Sequence, residues 1–113
     1  MARFTSIALS MACAIGYVFA SSGDMTYYAP GLGSCGETSN ESDAVVALAP
    51  GQFSGSNPCG KKITITAKGK TASATVVDKC PGCSEDSIDV SPSVFEKLAS
   101  LDDGRVKIEW EFS

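Results

Sequence analysis

Histidine is absent from the 113 residues of this chain. That removes the side chain most used as a general base near neutral pH and the commonest metal ligand. Cations are also scarce: 9 Lys and Arg stand against 13 Asp and Glu, a formal charge of −4. An acidic chain with no histidine does not suit nucleic acid or an anionic lipid surface. Tryptophan occurs once, and aromatics make up 8% of the residues. No internal repeat, low-complexity tract, phosphate loop or nucleophile motif is present. Neither a metal nor a cofactor is expected.

The N-terminus reads as a secretory leader. Arg3 is a small positive region, Ile7 to Phe19 is apolar, and Val18-Phe19-Ala20 ends it in a cleavage pattern before Ser21-Ser22-Gly23. The apolar run is short for a membrane span. Residues 1–20 are therefore expected to be removed, and 21–113 to form one small domain. Loss of Arg3 leaves eight basic residues against thirteen acidic ones, a charge near −5. The expected product is extracellular, monomeric and free of the membrane.

Cys13 leaves with the leader, and Cys35, Cys59, Cys80 and Cys83 remain. An even count in a short secreted chain points to disulfides. Cys80-Pro81-Gly82-Cys83 has the spacing of a redox motif or of half a zinc site, but Cys35 and Cys59 are not spaced as a second half. Three pairings are open, and Cys35–Cys59 with Cys80–Cys83 is the one favoured. Each bridge is worth about 2–4 kcal/mol, a large share of a small domain's stability.

Asp24 to Ala29 carries β-formers and stops at Pro30-Gly31, which predicts a first strand. Gly31 to Ser42 is a polar loop pinned by Cys35. Asp43 to Leu48 is read as a short helical turn capped by Ser42 or Asp43. Pro50 to Pro58 is a second loop. Lys61 to Ala67 alternates, turns at Lys68-Gly69-Lys70, and returns as Thr71 to Val77, a hairpin whose small residues suit a tight barrel. Ile88 to Val90 is a short strand interrupted by Asp89. Ser93 and Glu96 offer a capping box behind Pro92, with Val94, Phe95, Leu98 and Leu101 facing the core. After the turn at Asp102-Asp103-Gly104, Arg105 to Phe112 alternates throughout, with Val106, Ile108, Trp110 and Phe112 inward. Trp110 is assigned to the core.

Two carboxylates, Asp78 and Asp89, fall near strand ends. Taken as a set, several segments resemble the double-psi β-barrel of expansins, of rare lipoprotein A, and of the barwin and plant natriuretic peptide-like proteins. They are Gly69-Lys70-Thr71 through Val76-Val77-Asp78, Asp89-Val90-Ser91-Pro92-Ser93-Val94-Phe95, and Gly104-Arg105-Val106-Lys107-Ile108-Glu109-Trp110. Cys59-Gly60-Lys61-Lys62-Ile63 and Ser34-Cys35-Gly36 fit the cysteine-bearing members. The resemblance implies a mainly β, six-stranded, disulfide-stapled barrel with one or two short helices. It also implies a sugar groove containing Thr26, Tyr27, Tyr28, Asp78 and Asp89. Asp89 is the candidate catalytic acid, because related endoglucanases use the matching aspartate as general acid and expansins need it for wall loosening. Tyr27 and Tyr28 alternate, so at most one of them faces the groove.

The departures from the pattern bear on activity. Hydrolysis needs a second carboxylate across the groove. The endoglucanase pattern places it four residues after the strand-one threonine, where this chain has Pro30. The transglycosylases carry a histidine, absent here, and a glutamate that Glu41 matches only loosely. Expansins carry a second, carbohydrate-binding domain, and none is expected here. The expectation is non-hydrolytic binding of a cell-wall polysaccharide. A secreted protein-binding module, such as a protease inhibitor or host-directed effector, is the alternative. A lytic transglycosylase or endoglucanase-like enzyme is the third reading.

Overall fold

Most segments after Lys61 alternate apolar and polar residues, and those segments fold as strands with one face buried. The computed structural model describes residues 20–113. The expected leader, except Ala20, lies outside the described residues, and Cys13 lies outside with it. The strands are β1 (Ser21–Tyr27), β2 (Val45–Leu48), β3 (Lys62–Ala67), β4 (Lys70–Lys79), β5 (Ile88–Val90) and β6 (Val106–Phe112). They close into a barrel in the order β1-β5-β2-β4-β3-β6. β1 runs parallel to β5 and β2 parallel to β4, while the other neighbours are antiparallel. Helix α1 (Pro92–Leu98) buries Val94, Phe95 and Leu98.

Core packing follows from size. Ile63 faces Ala74, and Ile65 faces Ala72 on one side and Trp110 on the other. The small residues of β4 make room for large ones on β3 and β6, and Ile63, Ile65 and Trp110 are all at most 2% exposed. The indole nitrogen of Trp110 donates to the carbonyl of Asp86 at 2.9 Å, so its burial leaves no orphan donor. The β3–β4 turn sits at Lys68 and Gly69, both with positive φ (53° and 78°), as a two-residue hairpin requires.

Four expectations need correction. Asp43–Leu48 is not helical: Val45 to Leu48 form β2, every residue of which is buried. A helix that short is marginal, whereas a strand between β4 and β5 has its backbone satisfied on both edges. The Ser93–Glu96 capping box is not made. Ser91 is the N-cap, and the hydroxyls of Ser91 and Ser93 instead donate to the Asp43 carbonyl at 2.6 and 3.1 Å. The capping box that does form joins Ser100 and Asp103, at the 3₁₀ turn Leu101–Asp103. Phe112 is 43% exposed, because β6 ends there; its ring meets Trp110 edge-on at 5.3 Å. β1 begins at Ser21 and ends at Tyr27, earlier at both ends than expected.

Both favoured disulfides are present, Cys35–Cys59 and Cys80–Cys83. The first ties the loop after β1 to the loop before β3. That first loop is also closed by an isolated bridge between Leu32 and Thr38, and by the Cys35 amide donating to the Val77 carbonyl at 3.1 Å.

Candidate functional site

Register brings the candidate acids onto one surface. Thr26 on β1 pairs with Asp89 on β5, Asp89 with Ala47 on β2, and Ala47 with Asp78 on β4. Residues paired in register share a face. Their chain neighbours Met25, Val46, Leu48, Ile88 and Val90 are fully buried inside the barrel. The row Thr26–Asp89–Ala47–Asp78 therefore lies on the outer side of the barrel wall, with its three polar members half-buried and Ala47 covered at 2% exposure.

Asp78 reaches this row through an irregularity. The β2–β4 register shifts by one residue between Val46 and Ala47, as it does at a β-bulge. An unbroken ladder would have set Val77 opposite Ala47. The shift leaves Val76 and Val77 both buried and puts Asp78 on the row instead. Two consecutive valines in an otherwise alternating strand are the one trace of this in the sequence.

Each acid has a distinct environment. The Thr26 hydroxyl donates to Asp89 Oδ1 at 2.9 Å. Half-burial pushes the Asp89 carboxyl above the usual range; the Thr26 hydrogen bond and the Arg105 charge oppose this, and the Asp78 charge adds to it. Burial leads, and repulsion from Asp78 is the smallest of these causes. Asp78 Oδ1 accepts from the amides of Ser34 and Lys79, each at 2.8 Å. Asp78 therefore anchors the loop after β1 as well as facing Asp89.

Tyr28 lies two residues beyond Thr26 and shares its face. Its amide extends the β1–β5 ladder to the Val90 carbonyl at 3.0 Å. Burial first, then the charges of Asp78 and Asp89, push its phenol up to about 12. Both acids thus act on this one ring, and its hydroxyl is buried without a hydrogen-bond partner among the described residues. Tyr27 points the other way. Its ring meets Phe95 edge-on at 4.8 Å and its hydroxyl donates to the Leu101 carbonyl, so it closes the helix side of the barrel and not the row. Asp43 accepts from the Asn40 amide at 2.9 Å, a turn acceptor remote from the acids in role. No group of three or more potential metal ligands occurs among the described residues.

A site of this kind on a closed six-stranded barrel with two parallel pairs invites comparison with known proteins. Residues 20–110 match the double-psi β-barrel family described as lytic transglycolase. The chain belongs to this family. A relative from Arthroderma benhamiae, the "Allergen Asp f 7 homolog", is 39% identical over 109 residues, covering 80% of this chain and 38% of the relative. The papain inhibitor of Streptomyces mobaraensis is 38% identical over 99 residues, covering 80% of this chain and 69% of the inhibitor. The solved structure of a Streptomyces papain inhibitor superposes with a TM-score of 0.75 at 34% identity, covering 86% of this chain and 96% of that one. A Clavibacter michiganensis expansin, solved in complex with cellohexaose, superposes with a TM-score of 0.77 over 84% of this chain and 50% of the expansin. At 24% identity that likeness is one of fold. This double-psi barrel spans little more than a third of the fungal relative's length.

Proposed function

We propose that this double-psi barrel is an extracellular protein that binds a cell-wall polysaccharide across the Thr26–Asp89–Ala47–Asp78 row without cleaving it. The Thr26–Asp89 hydrogen bond carries the reading, because it fixes a half-buried acid on the outer side of the barrel wall beside a hydroxyl. The Asp89 carboxyl and the Thr26 hydroxyl beside it offer hydrogen-bond partners to the hydroxyls of a sugar lying across the row. Cleavage needs a second carboxylate ready to act as base or nucleophile. Pro30 stands at the place the hydrolase pattern gives it, and Asp78 is occupied by two backbone amides. Sedimentation with cellulose, chitin, β-glucan and peptidoglycan tests the reading. Wild type should be retained by at least one polymer and Asp89→Asn much less so. Retention by none, or equal retention of the variant, would contradict it.

A second reading has its own observation. Leu32 is 74% exposed on a loop held by a disulfide, a bridge and the Asp78 anchor, and the papain inhibitor is matched over most of its length. A rigid loop presenting a leucine suits a protein partner such as a papain-like protease. Papain assays of wild type and Leu32→Ser decide it: inhibition lost in the variant supports it, and no inhibition by wild type removes it.

A further inference from the structure

The outer face of β1 does not end at Thr26. Asp24 lies two residues before it on the same face. Beside both opens a cleft of about 220 Å³, lined by Asp24, Thr26, Arg105, Ser84, Ser87 and the Cys80–Cys83 bridge with Gly82. Asp24 is held from the rim by Arg105 Nη1 on Oδ2 at 3.3 Å and by Lys107 Nζ on Oδ1 at 3.1 Å. Its amide donates to Ser87 Oγ at 3.1 Å, and Ser87 Oγ lies 3.0 Å from Ser84 Oγ. Lys107 itself does not line the cleft.

We propose that this cleft is a further subsite of the groove, taking one uncharged sugar unit of the bound chain, with Arg105 as its specificity residue. The inference rests on the polysaccharide reading above. The cleft abuts Thr26, so a glycan lying over Asp89 continues into it. Its volume suits one pyranose ring. The residues that line it carry one guanidinium and one carboxylate, so it offers a donor beside an acceptor, a match for two neighbouring sugar hydroxyls. One hydroxyl accepts from Arg105 while the next donates to Asp24. The four-residue disulfide loop forms the opposite wall and keeps Gly82 at the lip, with open space where its side chain would project.

The test is calorimetric titration of the oxidised full chain with cellohexaose, cellotriose and chitohexaose. Arg105→Gln should weaken hexasaccharide binding about tenfold, the weight of one charge-assisted hydrogen bond. It should also abolish the advantage of the longer cello-oligosaccharide over the shorter. Arg105→Lys should fail to rescue, since it keeps the charge and loses the planar fork. Gly82→Gln, which narrows the cleft from the other side, should show the same loss. The Arg105 side chain is 63% exposed, so its variants should fold normally. Full affinity in both Arg105→Gln and Gly82→Gln, with Asp89→Asn still defective, would overturn the subsite and leave the groove reading standing. No binding of any of these probes by wild type would overturn both.

Discussion

Asp89 carries a proton more tightly in the folded chain than in the unfolded one, because burial disfavours its charge. Its contribution to stability is complete below the usual carboxylate range and is lost as pH rises through its raised value. Asp89→Asn removes that loss and still accepts from Thr26. Thermal melts should therefore show the variant equal to or above wild type at neutral pH, with the gap closing in acid. A fall of several degrees at neutral pH with polysaccharide binding intact would make Asp89 a structural residue instead. Tyr28 gives a second test. Its phenol, raised to about 12, stays neutral until strongly alkaline pH, and stability linked to it is present below its ordinary value and lost on ionisation. An alkaline absorbance titration should contain a tyrosinate step near 12 that Tyr28→Phe removes. Since the hydroxyl has no partner to lose, Tyr28→Phe should not lower the melting temperature.

The two disulfides act at the level of elements and differ in reach. Cys35–Cys59 closes a separation of 24 residues and Cys80–Cys83 one of 3. Loop entropy gives the first about 3.5 kcal/mol and the second about 2 kcal/mol. Denaturant midpoints should fall further for the double serine variant of the first bridge than for that of the second; the reverse order would mean that the short bridge organises more of the fold than its loop. Ser91 joins α1 to β2. It is fully buried and donates to the Asp43 carbonyl at 2.6 Å, so Ser91→Ala should cost about 1–2 kcal/mol in the same assay. These contacts mark where the sequence is legible and where it is not. β3, β4 and β6 announce themselves by alternation, and α1 by Pro92 and its apolar spacing. β2 does not alternate, because it is buried throughout, so Val45–Leu48 reads as easily as a helical turn. Ser91 and Ser93 look like helix caps, yet their hydroxyls cross to Asp43, a partner that no local pattern indicates.

At the scale of the whole molecule, closure of the barrel leaves no free strand edge among the named strands. Closure also makes the site. Thr26 and Asp89 meet across a parallel pairing of strands 63 residues apart, and Asp78 joins them only after a register shift. Local reading finds the three residues but not their meeting; the likeness to double-psi barrels supplied that expectation, and the geometry adds Tyr28 to the row and turns Tyr27 away. With Pro30 at the hydrolase position and Asp78 bound to backbone, soluble β-glucans should yield no reducing ends above background. Turnover that vanishes in Asp89→Asn would make the protein an enzyme. The central claim is that glycan lies on the outward row. Amide chemical-shift mapping with cellohexaose and chitohexaose tests it most directly. The account predicts shifts centred on Thr26, Tyr28, Ala47, Asp78 and Asp89. Shifts confined to the Leu32 loop, or none at saturating oligosaccharide, would contradict it.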